Sequence, residues 1–175
     1  MSITITRVTK ANAEDLLLPN QPFQRFGHMQ VTRDETGWHH HETKDDIIST
    51  QTFPEEHYQL EEIDRLRFAL ATNIDGQCVG LATFDYQFNK LVYLADLKVN
   101  ADARHQNIAS ALLDAAKPIA MQHGCAGMCT IAQGSNLAAN HFYLHDGFQI
   151  GGLETFRYQF TPAAGECDIH YWLSF

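Results

Sequence analysis

The segment from Arg67 to Val99 constrains the fold more than any other stretch. Three apolar runs, RFALATN, CVGLATFDY and LVYLADLKV, are separated by the short breaks IDGQ and NK. Runs of this length, rich in Leu, Val, Phe and Tyr and bounded by Asp-Gly or Asn-containing breaks, read as strands joined by tight turns. The segment predicts three antiparallel strands in succession.

Around it the pattern alternates between strands and helices. Ile3 to Val8 reads as a strand, Ala11 to Leu18 as a short helix ended by Pro19, and PEEHYQLEEIDRL as a helix with proline near its first turn and acids following. IASALLDAAKPIA carries Ile108, Leu112, Ala115 and Ile119 near helical spacing, and Pro118 is expected to kink or fray its end. GMCTIAQ reads as a strand and NLAANHFYLHDG as a helix stopped by Gly147. FQIGGLETFRYQF and CDIHYWLSF read as closing strands. From Gln21 to about Pro54 periodicity is poor, and this third predicts loops with short elements. With no repeat, low-complexity tract or linker, residues 1–175 read as a single mixed α/β (α+β) domain.

Composition narrows the function classes. The chain is 45% hydrophobic and 19% charged, as in a soluble globular protein, and no apolar run approaches the roughly 20 residues of a membrane span. MSITITRVTK alternates like a strand and lacks the charged start and apolar core of a secretion signal, which predicts a cytoplasmic protein with no membrane partner. A formal net charge of −9 argues against nucleic acid and suits a cationic partner. Cys78, Cys125, Cys129 and Cys167 form no CxxC pair and read as buried thiols near strands. In WHHHETKDD, His39 and His41 would share one face of a strand, with Glu42 or Asp45 able to complete a metal set. Adjacent histidines in a polar stretch read better as solvated, so no metal is expected. Trp38 is placed to stack a flat or cationic group.

The loop ARHQNIASALL, after the third strand of the meander, leads into the N-terminus of a helix. Such a terminus presents unpaired amides and a partial positive charge, and so binds anions. Arg104 and Lys98 add positive charge nearby. Asn107 stands where a phosphate-binding loop would want glycine, and asparagine tolerates positive φ. Ala109 is the next smallest choice where backbone approaches a ligand. On these residues alone, an anion site and an ordinary helix start are equal readings.

RHQNIA resembles the pyrophosphate-binding pattern [RQ]-x-x-G-x-[GA] of the GNAT acetyltransferases, with Asn107 in place of the first glycine. NLAANHFYLHDGF resembles the second motif of that family, N-x-x-A-x-x-F-Y followed by a G-F pair. YLADLKV, the loop, NLAANHFY and the closing IHYWLSF are similar to the streptothricin acetyltransferases in particular. The likeness runs from about Arg67 to the end. Before that it is limited to Trp38 followed by an acidic stretch.

The resemblance implies a GNAT fold, a mixed and mostly antiparallel central sheet flanked by helices. It implies acetyl-CoA as cosubstrate and direct transfer to an amine in a ternary complex. Leu97, Lys98 and Val99 would hold the pantetheine arm through their main chain. Arg104, His105, Gln106, Asn107, Ile108, Ala109 and Ser110 would hold the pyrophosphate. Asn136, Ala139, Phe142 and Tyr143 fall on the second motif. Tyr143 matches the general acid that protonates the leaving thiolate, a role that suits a phenol with a pKa of about 10 against a thiol near 8.5. Asn136 matches a pantetheine-binding residue, and a helix N-cap would select the same side chain. Streptothricin acetyltransferases tend to carry glutamate at the position of Ala95. Asp96 matches the family's aspartate and is expected on the opposite strand face from 95, as structural residue, base or amine anchor. The implied acceptor is a small cationic amine such as streptothricin. A polyamine, amino acid or protein amine is the alternative, and a non-catalytic acyl-CoA-binding module is the reading from another class. Self-association as a homodimer is left open.

Overall fold

The computed structural model describes residues 3–175, the side chains at 64–66 excepted. In chain order the strands are β1 (Ile3–Arg7), β2 (Phe23–Asp34), β3 (Gly37–Gln51), β4 (Arg67–Ile74), β5 (Gln77–Tyr86), β6 (Leu91–Val99), β7 (Gly127–Gln133), β8 (Gln149–Glu154) and β9 (Asp168–Ser174). The α-helices are α1 (Leu60–Leu66), α2 (Ile108–Gln122) and α3 (Leu137–His145), with short 3-10 helices at Lys10–Leu17 and Ala101–Ala103. The chain forms two compact units. The segment ending at Pro22, Thr52–Met128 and Ser174–Phe175 make the first; Phe23–Gln51 and Cys129–Leu173 make the second.

In the first unit the strands run in the order β1-β4-β5-β6, antiparallel at every step, so the meander forms as its turns predict. Asp75 and Gly76 in the first turn both have positive φ, 49° and 85°. Every residue of β4 from Phe68 to Thr72 is buried. Ala69, Ala71 and Leu81 pack with Val8, Leu16, Leu18 and Ile63, while α2 lies against β4, β5 and β6. Cover on both faces explains why β4 is a continuous apolar run and does not alternate. Gly80 brings α2 close, because a Cβ there would stand 2.8 Å from Ile108 Cγ2.

Two helix expectations shift. α2 continues past Pro118 to Gln122, and its buried stripe is Ile108, Leu112, Leu113, Ala116 and Ala120, with Ala115 and Ile119 only half-buried. Pro118 deprives only the Asp114 carbonyl of a partner, and Asp114 is exposed to water. α1 begins at Leu60, so the first half of PEEHYQLEEIDRL is not helical. Tyr58 in that half reaches Asp96 of β6 instead, and Glu56 contacts Tyr58.

In the second unit, the stretch expected to be loops is a long antiparallel hairpin of β2 and β3. The ribbon is largely exposed, and apolar alternation survives only at Gly27, Met29 and Val31, too short a run to read. β7, β9 and β8 lie side by side, and α3 packs on β2. α3 ends just before Gly147 (φ +89°), as expected. The strand expected to reach Phe160 stops at Glu154, whose Oε1 accepts from the Phe156 amide at 2.7 Å and bends the chain. Phe156 and Phe160 are exposed and meet edge to face. All four cysteines are free. Among the described residues no helix is long and apolar enough to cross a membrane.

Candidate active site

β6 delivers the chain through the 3-10 turn Ala101–Ala103 into the loop ahead of α2. Asn107 is the N-cap of α2 in the left-handed region (φ 62°, ψ 15°), and its side chain makes no cap hydrogen bond. His105 is left-handed as well (φ 60°). An asparagine at an N-cap ordinarily accepts from an amide of the first turn. Here the backbone is held in a disfavoured conformation and the cap is forgone, which leaves the helix terminus to an external anion. The first turn of α2 also lacks an acidic side chain that would repel one. These features fit a pyrophosphate. Buried Ile108 anchors the turn, while Arg104, Ala109 and Ser110 are half-buried and His105, Gln106 and Asn107 exposed. The side chains brace the loop: Arg104 Nε donates to the Val99 carbonyl at 3.3 Å and Gln106 Nε2 to the Asp102 carbonyl at 3.2 Å.

Lys98 does not supply the positive charge that the sequence placed near the loop. Its side chain is buried, with Nζ 3.2 Å from Asp96 Oδ2 and 3.4 Å from the Leu18 carbonyl, and its ammonium lies over the ring of Tyr58. Leu97, Lys98 and Val99 pair with Ala82, Leu81 and Gly80 of β5 along one edge of β6.

The same strand carries a β-bulge. Thr83 pairs with Asp96 but Phe84 pairs with Leu94, so Ala95 is the extra, unpaired residue. A bulge interrupts strict alternation and re-aims the neighbouring side chain. The expectation that positions 95 and 96 face opposite ways therefore loses its basis at this point of the strand. Asp96 sits in a cluster the sequence did not reveal: Tyr58 Oη is 3.2 Å from Asp96 Oδ2 and in hydrogen-bonding contact with Glu56. Burial pushes the Asp96 carboxyl above its ordinary pKa, and the charge of Glu56 adds to that; the Lys98 ammonium and the Tyr58 hydrogen bond oppose it. Burial likewise pushes the Tyr58 phenol well above its usual value, reinforced by the charges of Asp96 and Glu56. The acid-rich run PEEHYQL was the available signal, hidden because it also reads as a helix start.

In the second unit α3 carries the other expected residues. Asn136 is the N-cap, its Oδ1 accepting from the Ala139 amide at 3.1 Å. Tyr143 is buried and its ring packs against Phe142, Phe148 and Tyr171. One turn earlier, Asn140 is fully buried and fully used: Nδ2 donates to the carbonyls of Gln133 and Asn136, and Oδ1 accepts from Tyr171. His141 on the exposed side of α3 pairs with Glu42 of β3 at 2.6 Å.

The histidine-rich run has other partners. His39 bonds Asp34 and Thr36, and Trp38 already carries the guanidinium of Arg33 over its ring at 5.6 Å. Among the described residues no three His, Cys, Asp or Glu side chains are grouped to hold a metal ion.

The antiparallel meander and the helix start that follows it agree with an acyl-transfer protein of the GNAT type. The model of the acetyltransferase (GNAT) family matches residues 32–148, and the chain belongs to that family. It is therefore an acyltransferase, consistent with acetyl-CoA as its cosubstrate. Among relatives, it is 25% identical to streptothricin acetyltransferase A of Bacillus subtilis (strain 168) over 98% of this chain and 99% of that one. Its fold is the GNAT fold. It matches a crystal structure from Bacillus anthracis str. Ames, provisionally named a streptothricin acetyltransferase and solved with acetyl coenzyme A, at TM-score 0.89 and 20% identity over 100% and 99% of the two chains. Nourseothricin acetyltransferase matches at TM-score 0.82 and 22% identity over 99% of each chain.

Proposed function

We propose that this enzyme transfers the acetyl group of acetyl-CoA to a primary amine of a small cationic acceptor, with a streptothricin-type antibiotic as the first candidate. The observation that carries the coenzyme half of this reading is Asn107, held left-handed and uncapped at the start of α2. The acceptor half is supported by the full-length similarity to a streptothricin acetyltransferase, the net charge of −9, and the two carboxylates gathered around Tyr58.

The main chain of Leu97–Val99 and the loop 104–110 are assigned to the coenzyme. When bound, acetyl-CoA supplies an activated acetyl thioester. The acceptor arrives as an ammonium, since a primary amine has a pKa of about 10.4, and must lose a proton before it can attack. Asp96 anchors the ammonium and accepts that proton. As the new C–N bond forms and the C–S bond breaks, Tyr143 donates its phenolic proton to the departing thiolate sulfur, and the second proton shed by the amine nitrogen returns the Tyr143 phenolate to its neutral form.

A coenzyme A thiol-release assay over a panel of amines that includes streptothricin tests this. Activity on streptothricin that falls by about 10²-fold or more in Tyr143→Phe is the expected result. Robust turnover on peptides alone would overturn the acceptor assignment, and failure to bind acetyl-CoA would overturn the role of the loop.

A further inference from the structure

Tyr58 has one hydroxyl proton and two carboxylates in contact with it: Asp96 Oδ2 at 3.2 Å and Glu56. A phenol donates a single hydrogen bond. Both contacts are made together when the one hydrogen is shared between the two carboxylates, or when one carboxyl carries a proton and donates to Oη. Two carboxylates brought near each other favour such sharing, because ionising the first opposes ionising the second.

The three groups also run from inside to outside. The Asp96 side chain is 16% exposed, Tyr58 is half-buried, and Glu56 is exposed to solvent. Asp96 is faced by Lys98 from its own strand, by Tyr58 and Glu56 from the segment before α1, and by the neutral Thr83 from β5. The Lys98 ammonium bonds Asp96 and sits 5.7 Å from the centre of the Tyr58 ring, which fixes the two oxygens of the inner step.

We propose that Asp96, Tyr58 and Glu56 form a proton relay that carries the proton lost by the acceptor ammonium out to solvent. The relay rests on the functional reading above, in which the acceptor is a protonated primary amine and Asp96 touches it. The N–H bond of the ammonium breaks and its proton goes to Asp96 Oδ2. Asp96 then donates to Tyr58 Oη while the phenolic hydrogen moves to Glu56, and Glu56 releases a proton to water. One proton is transferred in total, the amine keeps its electron pair for attack, and nothing is oxidised or reduced. Tyr58 stays neutral throughout, in keeping with a phenol whose ionisation burial disfavours.

Thiol release is measured for the wild type, Tyr58→Phe and Glu56→Gln from about pH 6 to about pH 10, with acetyl-CoA saturating and the amine that supports turnover varied. The expected result is a fall in kcat of about tenfold or more near neutral pH with little change in KM for the amine, a defect that closes as bulk solvent supplies the neutral amine. Added formate should restore part of the loss in Glu56→Gln. Glu56 is exposed, so that variant decides the question if Tyr58→Phe does not fold. A wild-type kcat and pH profile in the variants overturns the relay alone, as does a loss that is flat across pH. A wild type that releases no thiol with any amine overturns the functional reading and the relay with it.

Discussion

Tyr171 donates a hydrogen bond of 2.6 Å to Oδ1 of Asn140 in the interior of the second unit, where the two residues are 1% and 0% exposed. The bond completes a network, since Asn140 Nδ2 already serves the carbonyls of Gln133 and Asn136. It therefore ties β9 to the helix that starts at Asn136 and, two turns on, carries Tyr143. Tyr171→Phe leaves a buried acceptor unsatisfied, at a cost of about 1–3 kcal/mol in urea unfolding. Asn140→Leu costs more, because two backbone carbonyls lose their donor. The double variant should regain part of the sum, as replacing both partners with apolar groups removes the unmet demand. Strict additivity would mean the two side chains are not coupled.

Asn107 separates the anion loop from a plain helix start. Asn107→Gly removes the strain of a left-handed non-glycine residue, and acetyl-CoA affinity measured by calorimetry should hold or tighten. Asn107→Val places a β-branched side chain at φ 62°, adding strain of about 1–3 kcal/mol, and should weaken affinity. Unchanged affinity in Asn107→Val would remove the loop from the coenzyme site.

Lys98 holds the Asp96 carboxyl lower than burial alone would. Lys98→Met should push it further up, visible in an NMR titration of the Asp96 carboxyl carbon. A carboxyl whose folded pKa is raised contributes stability that is complete below its unfolded value of about 3.9 and is lost as pH rises through the folded pKa. The variant extends that loss to higher pH. Its stability deficit against the wild type should thus open only above the raised wild-type pKa of Asp96 and widen from there as pH rises, a tenfold change in proton affinity corresponding to about 1.4 kcal/mol. A deficit that is constant with pH would show that Lys98 acts by packing.

Gly27 lies beside the bulge in β2, and a Cβ there would collide with the carbonyl oxygen of Thr43 and come within 2.9 Å of Leu137 Cδ1. Gly27→Ala should destabilise the protein by about 1–3 kcal/mol, the usual cost of overfilling a packed site. The loss should appear in hydrogen exchange as reduced protection of the β2–β3 pairing and of the start of α3. Protection equal to the wild type would mean the hairpin shifts freely to make room.

Local chemistry was enough for the meander of β4, β5 and β6, for GMCTIAQ as β7, and for the helix of NLAANHFY with its stop at Gly147. Each is set by neighbours within a few residues, through turn residues, apolar runs and caps. The positive φ of Asn107 was legible for the same reason, because few side chains other than glycine tolerate it. The rest depended on contacts distant in sequence. The β2–β3 hairpin could not be read because most of its surface faces water and leaves no apolar pattern. The bulge at Ala95 arises from registration against Phe84 and Thr83, and alternation along one strand carries no sign of it. Lys98 read as a charge for phosphate, yet folding buries it against Asp96, the Leu18 carbonyl and the Tyr58 ring. Glu56 and Tyr58, which read as helix, are drawn by Asp96, 38 residues beyond Tyr58, into the cluster assigned to the acceptor. Secondary structure follows from short-range preference, whereas the state and partner of a buried charge are decided only when the chain has closed around it.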